Sequence, residues 1–169
     1  MSWNVRPAVP ADAPAVREIA RESWHAAYDS ILGSETVTET IDRWYATDDL
    51  EAAIVEARGR EDVVFAIVED ADDPVGFVHA GPHRERPAVA SLYRIYVRPD
   101  RWGDGVGTAL LERLETDLED RYDRLWLAVL ADNEVGVSFY ESTGFERVGT
   151  QESDLKAGVE ESIYEKRLS

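Results

Sequence analysis

The chain contains no cysteine, which excludes disulfides, thiolate metal sites and a cysteine nucleophile. Lysine is nearly missing too: it stands only at Lys156 and Lys166, and every other basic residue is arginine. Long hydrophobic runs are lacking. The longest aliphatic and aromatic block, Val63 to Val68, is far too short to cross a bilayer. The opening Met1-Ser2-Trp3-Asn4-Val5-Arg6-Pro7 has none of the apolar stretch of a secretion signal. The expectation is a cytoplasmic protein with no membrane contact. Positive charge is scarce: 18 basic residues stand against 35 acidic ones, for a net charge of -17. Nucleic acid needs clustered Lys and Arg to displace its counterions, so it is excluded as a partner.

What is present is the ordinary material of a globular protein. The 169 residues are 44% hydrophobic and 31% charged, enough for one domain with a proper core, spanning residues 1–169. There is no internal repeat. The acidity has two readings. A cationic acceptor could be steered by the negative field. Alternatively the surface is adapted to concentrated salt, where mutual repulsion is screened within ~3 Å. The second, halophilic reading is favoured because the acid is spread along the whole chain.

Hydrophobic period and turn residues outline the elements. Trp3 to Val9 reads as a strand. Asp12 follows as a helix N-cap, with Val16, Ile19, Ala20 and Trp24 at helical spacing until Gly33. A helical region, one helix or two, covers Val37 to Arg58. The period then changes to that of strands over Val63–Val68, Val75–Ala80 and Val89–Val97. A helix carries Val106, Leu110, Leu111, Leu114 and Leu118 on one face. Leu125–Leu130 is a strand and Val135–Thr143 a short helix, stopped by Gly144. Phe145–Thr150 and Ser162–Leu168 are the last strands. The order is β-αα-βββ-α-β-α-ββ, an α/β fold with a mixed central sheet flanked by helices.

The segment Val97-Arg98-Pro99-Asp100-Arg101-Trp102-Gly103-Asp104-Gly105-Val106-Gly107-Thr108 joins a strand to an amphipathic helix. Three alternate glycines leave the backbone open to a ligand, and successive N–H groups at a helix start can converge on an anion. A pyrophosphate suits it; a plain glycine-rich turn is the competing reading. A dinucleotide fingerprint would need glycine where Thr108 stands, and a nucleotide-triphosphate loop would need a lysine that is absent.

Other residues join this loop into a pattern. Tyr96-Val97-Arg98-Pro99 precedes it, and Asn133, Phe139-Tyr140 and Gly144-Phe145 follow the next strand. Taken together, residues 75 to 168 resemble the GNAT family of N-acetyltransferases. Ser23-Trp24-His25-Ala26-Ala27-Tyr28 is similar, more loosely, to the acceptor-side helix of one bacterial and archaeal branch. The resemblance implies acetyl transfer from acetyl-CoA to a primary amine by direct attack in a ternary complex, without a metal. It assigns pantetheine to the strand Ile95-Tyr96-Val97, with a bulge freeing a donor for the thioester carbonyl. The phosphates fall to Trp102, Gly103, Asp104, Gly105, Val106, Gly107 and Thr108. Asn133 is implied to hold pantetheine amides, and Tyr140 to protonate the departing thiolate. A homodimer is common in the family.

Two positions depart from the family pattern. Trp102 replaces a Gln or Arg in the loop, and Ser91 stands where many members carry a glutamate base. The base is then His79, Tyr93 or a water relay from a carboxylate. Trp24, Tyr28 and Tyr93 are candidates to line the acceptor pocket. His79 and His83 flank Gly81-Pro82 without an acidic cluster beside them, which disfavours zinc. A non-catalytic acyl-CoA sensor remains open on account of Ser91. So does a donor such as succinyl-CoA, whose carboxylate Arg94 or Arg98 would bind.

Self-repulsion of the acidic surface weakens with ionic strength. The melting temperature should therefore climb between dilute buffer and molar KCl; a flat or falling curve would favour the cationic-acceptor reading of the charge.

Overall fold

The computed structural model describes residues 3–168. In chain order the elements are β1 (Asn4–Pro7), α1 (Ala13–Leu32), α2 (Ser34–Trp44), α3 (Thr47–Arg58), β2 (Val64–Asp70), β3 (Asp73–Pro82) and β4 (Val89–Val97). They continue with α4 (Val106–Leu118), β5 (Arg124–Leu130), α5 (Glu134–Ser142), β6 (Glu146–Glu152) and β7 (Glu160–Arg167). The seven strands form one sheet in the order β1-β2-β3-β4-β5-β7-β6.

The region from Val37 to Arg58 is two helices. Tyr45 leaves helical torsions at φ -123°, while its ring is buried at 2% exposure. Arg17 of α1 donates to the Ile41 carbonyl at 3.3 Å and to the Tyr45 carbonyl at 2.9 Å, satisfying acceptors that a helix end leaves without partners.

The two faces of the sheet have separate cores. Ile19, Trp24 and Tyr28 of α1, with Ile41 and Ile54, pack against Phe65, Ile67 and Phe77. On the other face Leu110, Leu111, Leu114 and Leu118 of α4 cover Val68, Val78 and Leu92. Both stripes follow the helical spacing of the sequence.

One strand pair breaks the pattern of the sheet. All other neighbours are antiparallel, but β4 and β5 are parallel and matched only at Val89↔Arg124, Ala90↔Leu125 and Ser91↔Trp126. Beyond that point β4 continues on β3 as far as Val97, and β5 continues on β7 as far as Leu130. Their facing edges therefore part into a wedge.

Asp12 is not the side-chain cap expected from the sequence. Its carboxylate accepts from the Val9 amide at 2.8 Å, and from Arg6 Nη1 and Nη2 at 2.8 and 2.9 Å. Arg6 also pairs with Glu69, so one guanidinium joins β1, β2 and the entry to α1. Burial alone would raise the Asp12 carboxyl, but its bonds to Arg6 and the Val9 amide outweigh that and hold it below the usual carboxylate range.

Arg6→Ala strands two largely buried carboxylates and should cost about 2–3 kcal/mol in urea unfolding at pH 7. A depressed carboxyl stabilises the fold above its unfolded pKa and loses that contribution as pH falls through the lower folded value. Asp12→Asn should accordingly destabilise at pH 7 and lose part of the acid sensitivity below about pH 4.

Candidate active site

The wedge has two backbone edges and a loop at its mouth. Arg98 N–H bonds the Val75 carbonyl of β3 at 2.9 Å. Strand alternation then turns the amides of Val97 and Ile95 the other way, toward β5. The irregularity in β4 lies slightly earlier than the expected bulge. His79 is matched with Arg94 and Ala80 with Leu92, leaving Tyr93 as the extra residue.

The glycine loop runs from the end of β4 into α4. Gly103 and Gly105 have φ of +84° and +88°, torsions that side chains with a Cβ rarely adopt. Among the described residues, the N–H groups of Gly103, Gly105, Val106, Gly107 and Thr108 have no backbone acceptor. They lie at the N-terminus of α4, where the helix dipole favours an anion. The nearby cations are already committed, Arg98 to Glu22 and Arg101 to Asp70. Whatever anion rests here meets amides first. The Trp102 indole Nε1 donates to the Val97 carbonyl at 2.9 Å, an oxygen that also accepts from Ser23 of α1 at 2.8 Å.

On the α1 side of β4 lies a cavity of about 490 Å³, lined by Trp24, Tyr28, Trp44, Tyr45 and Tyr96, with His79, Tyr93, Arg94 and Glu161. Trp24, Tyr28 and Tyr93, singled out from the sequence, all lie on it. Tyr28 is buried, its hydroxyl 3.4 Å from that of Tyr96. Asn133 Nδ2 donates to the same hydroxyl at 3.3 Å, while Asn133 Oδ1 accepts from the Gly136 amide and caps α5. A Cβ at Gly136 would come within 2.5 Å of Asn133 Nδ2, so this cap requires the glycine. Asn133 thus tethers α1 as well as starting α5.

Tyr140 stands apart from the cavity lining. Its ring packs edge-on to Phe145 at 5.6 Å, and its hydroxyl makes no hydrogen bond among the described residues. Burial raises its pKa well above that of a free phenol, with the neighbouring Tyr28 and Tyr45 adding to the shift. Burial also pushes Tyr45 up to about 12. These phenols are donors at neutral pH.

His79 does not suit the base role considered for it. Burial first, and the Arg94 charge second, lower its pKa to about 3. Its Nδ1 lone pair is occupied by Arg94 Nε at 3.1 Å, and its ring stacks on Phe65 at 4.6 Å. An imidazole so weakly basic, with its lone pair already bonded, cannot collect a proton from an ammonium group. It positions Arg94 instead. Tyr93 is turned outward, with its hydroxyl on the Pro82 carbonyl at 2.9 Å. His83 accepts from the amides of Glu85 and Arg86 within its own turn. The acidic side chain on the cavity is Glu161, held by Gln151 at 2.8 Å and Ser153 at 3.3 Å. Nothing in the local sequence distinguishes it from the other surface acids of β7; only the cavity does.

Residues 14–145 match the Acetyltransferase (GNAT) family. Over its full length the chain is similar to a spermidine N(1)-acetyltransferase of Thermoplasma acidophilum, at 28% identity over 98% of this chain and 99% of the relative. A shorter stretch of 57 residues is 47% identical to the ribosomal protein bS18-alanine N-acetyltransferase of Escherichia coli, covering 33% of this chain and 38% of that one. The fold matches the crystal structure of the PaiA N-acetyltransferase of T. acidophilum in complex with coenzyme A. There the TM-score is 0.85 at 27% identity, over 99% of both chains.

A histidine whose folded pKa lies below its unfolded value of ~6.5 takes up its proton more readily when unfolded. Stability should therefore fall as pH drops from about 6.5 toward 3, and His79→Gln should flatten that slope in urea titrations. NMR should show His79 still neutral at pH 5.

Proposed function

The chain belongs to the GNAT acetyltransferase family and is an acyltransferase using acetyl-CoA, and we propose that it acetylates a primary amine by direct attack in a ternary complex. The observation that carries this reading is the alignment of three features along one path. The unpaired edge of β4 leads at one end to the free amides of Gly103 and Gly105–Thr108 and flanks the aromatic cavity on its α1 face.

Each chemical demand has a residue that fits it. The loop amides hold the diphosphate of the donor, which needs many donors and no fixed cation. The Val97 and Ile95 amides face the wedge as strand edges do, so an extended pantetheine can pair with β4 in place of the missing β5. The Ile95 N–H then serves the thioester oxygen, where a donor fixed beforehand strengthens its bond as negative charge develops.

The acceptor amine enters from the aromatic cavity. It must first lose a proton, since an alkylammonium of pKa ~10.4 has no lone pair. We assign that proton to Glu161 through water. Its carboxylate lies on the cavity, whereas His79 is held neutral with its lone pair taken. Tyr140 supports the leaving group. A phenol whose pKa is raised stays protonated and donates to the sulfur as it becomes thiolate, while the proton shed by the amine balances the one consumed.

The test is Tyr140→Phe, with release of CoA followed over a panel of amines. The ring and its packing on Phe145 remain, so acetyl-CoA should raise the melting temperature of variant and parent alike. Turnover should drop by about 10²-fold, with the Michaelis constant for acetyl-CoA little changed. Parent-like turnover, with chemistry shown to limit the rate, would leave Tyr140 a packing residue.

A further inference from the structure

The cavity wall holds two donors whose bonding the chain itself does not complete. The first is Arg94. Its neighbours Arg98 and Arg101 are each taken by a carboxylate, but Arg94 makes no ion pair among the described residues, although acids outnumber bases 35 to 18. Neutral contacts hold it instead. Nε donates to His79 Nδ1 at 3.1 Å, Nη1 reaches the Trp44 carbonyl at 3.5 Å, and the guanidinium lies 5.1 Å from the Tyr45 ring centre and 5.7 Å from that of Phe65. The Tyr45 hydroxyl also meets the guanidinium, but among the described residues no carboxylate does. Stacking between rings fixes the plane of the group without neutralising it.

The second donor is Trp24 Nε1. The residue is 4% exposed, and its N–H is buried with no hydrogen-bond partner. It lies near the Tyr45 hydroxyl, which contributes to the Tyr45 titration, but outside hydrogen-bonding geometry. A buried N–H is almost always satisfied, so an orphan on a cavity wall marks a place where a ligand acceptor belongs. Trp24 packs edge-on to Trp44 at 6.0 Å and to Tyr45 at 6.3 Å. The same two residues touch Arg94, so both donors belong to one wall.

We propose that the acceptor is a small zwitterionic amine of the amino-acid class, whose carboxylate binds Arg94 and Trp24 Nε1 while its amine is turned toward Glu161 and the wedge. This rests on the acyl-transfer reading above. An anion fits the wall because a guanidinium presents paired donors matched to a carboxylate. A polyamine fits less well, since its distal ammonium groups would face Arg94 with like charge. An anionic acyl chain fits less well: Arg94 and Trp24 project on the α1 face of β4, while the amides assigned to the donor lie along the strand edge.

The test uses α-amino acids and their matching amides, with putrescine and spermidine as polyamine probes. Binding is read by calorimetry on the full chain saturated with CoA, and turnover by CoA release from acetyl-CoA. The acids should bind at least ten-fold more tightly than the amides, and the ratio of their kcat/KM should follow. Arg94→Gln should collapse that acid-to-amide ratio toward one, Arg94→Lys should keep part of it, and Trp24→Phe should reduce it with the ring retained. Equal or better use of amides or polyamines overturns the proposal, as does a ratio that survives Arg94→Gln. An Arg94→Gln effect confined to succinyl-CoA against acetyl-CoA also overturns it, by assigning the cation to the donor. If amino acids bind through Arg94 but no amine is acetylated, the carboxylate site stands and the acyl-transfer reading fails.

Discussion

The parting of β4 from β5 is the constraint on which the rest depends. A sheet that stayed paired would leave no backbone edge at its centre, and an edge that is left needs a partner. After three matched pairs the strands separate, and both outer ladders remain intact. The opening thus sits in the middle of a rigid body rather than at its margin. The helix pair α1–α2 lies to one side and α4 to the other. The glycine loop reaches the mouth because α4 begins directly after β4.

Charge follows a division of labour within this frame. The arginines that hold the scaffold, Arg6, Arg98 and Arg101, are each bonded to carboxylates. Their strength comes from fixed geometry and partial burial, not from surface attraction, which a chain this acidic would spread thinly. At the glycine loop the free donors are uncharged amides. In the cavity, by contrast, one cation and one acid remain uncommitted to each other.

Much of this was legible in the residues themselves. The strand Val89–Val97 and the helical stripe from Val106 to Leu118 are in the structure as the periodicity drew them, because a buried face leaves little freedom of register. Gly144, at φ +100°, ends α5 as expected. The break at Tyr45 was not legible, since Trp44 and Tyr45 continue the apolar pattern; only the carbonyls bonded by Arg17 show why the helix stops. Asp12 looked like a cap and is an ion-pair partner, a role decided by Arg6 from another element. The site was read less completely than the fold. Glycine loops and the Asn133 turn are local signals, whereas Arg94 and Glu161 gain their character from neighbours 15 to 116 positions away: His79, Trp44 and Tyr45 for the one, the cavity wall around Tyr45 and Tyr96 for the other. His79 shows the converse, a residue whose type suggested a base and whose surroundings remove its basicity.

The carbonyl of Val97 is a shared hinge pin. Ser23 of α1 and Trp102 of the glycine loop both anchor on that single oxygen. A movement of the indole would change the setting of the serine's bond, and a shift of α1 would do the same to the indole's. Were ligands to act on these two elements, their binding would be linked through that oxygen, and linkage of this kind is reciprocal.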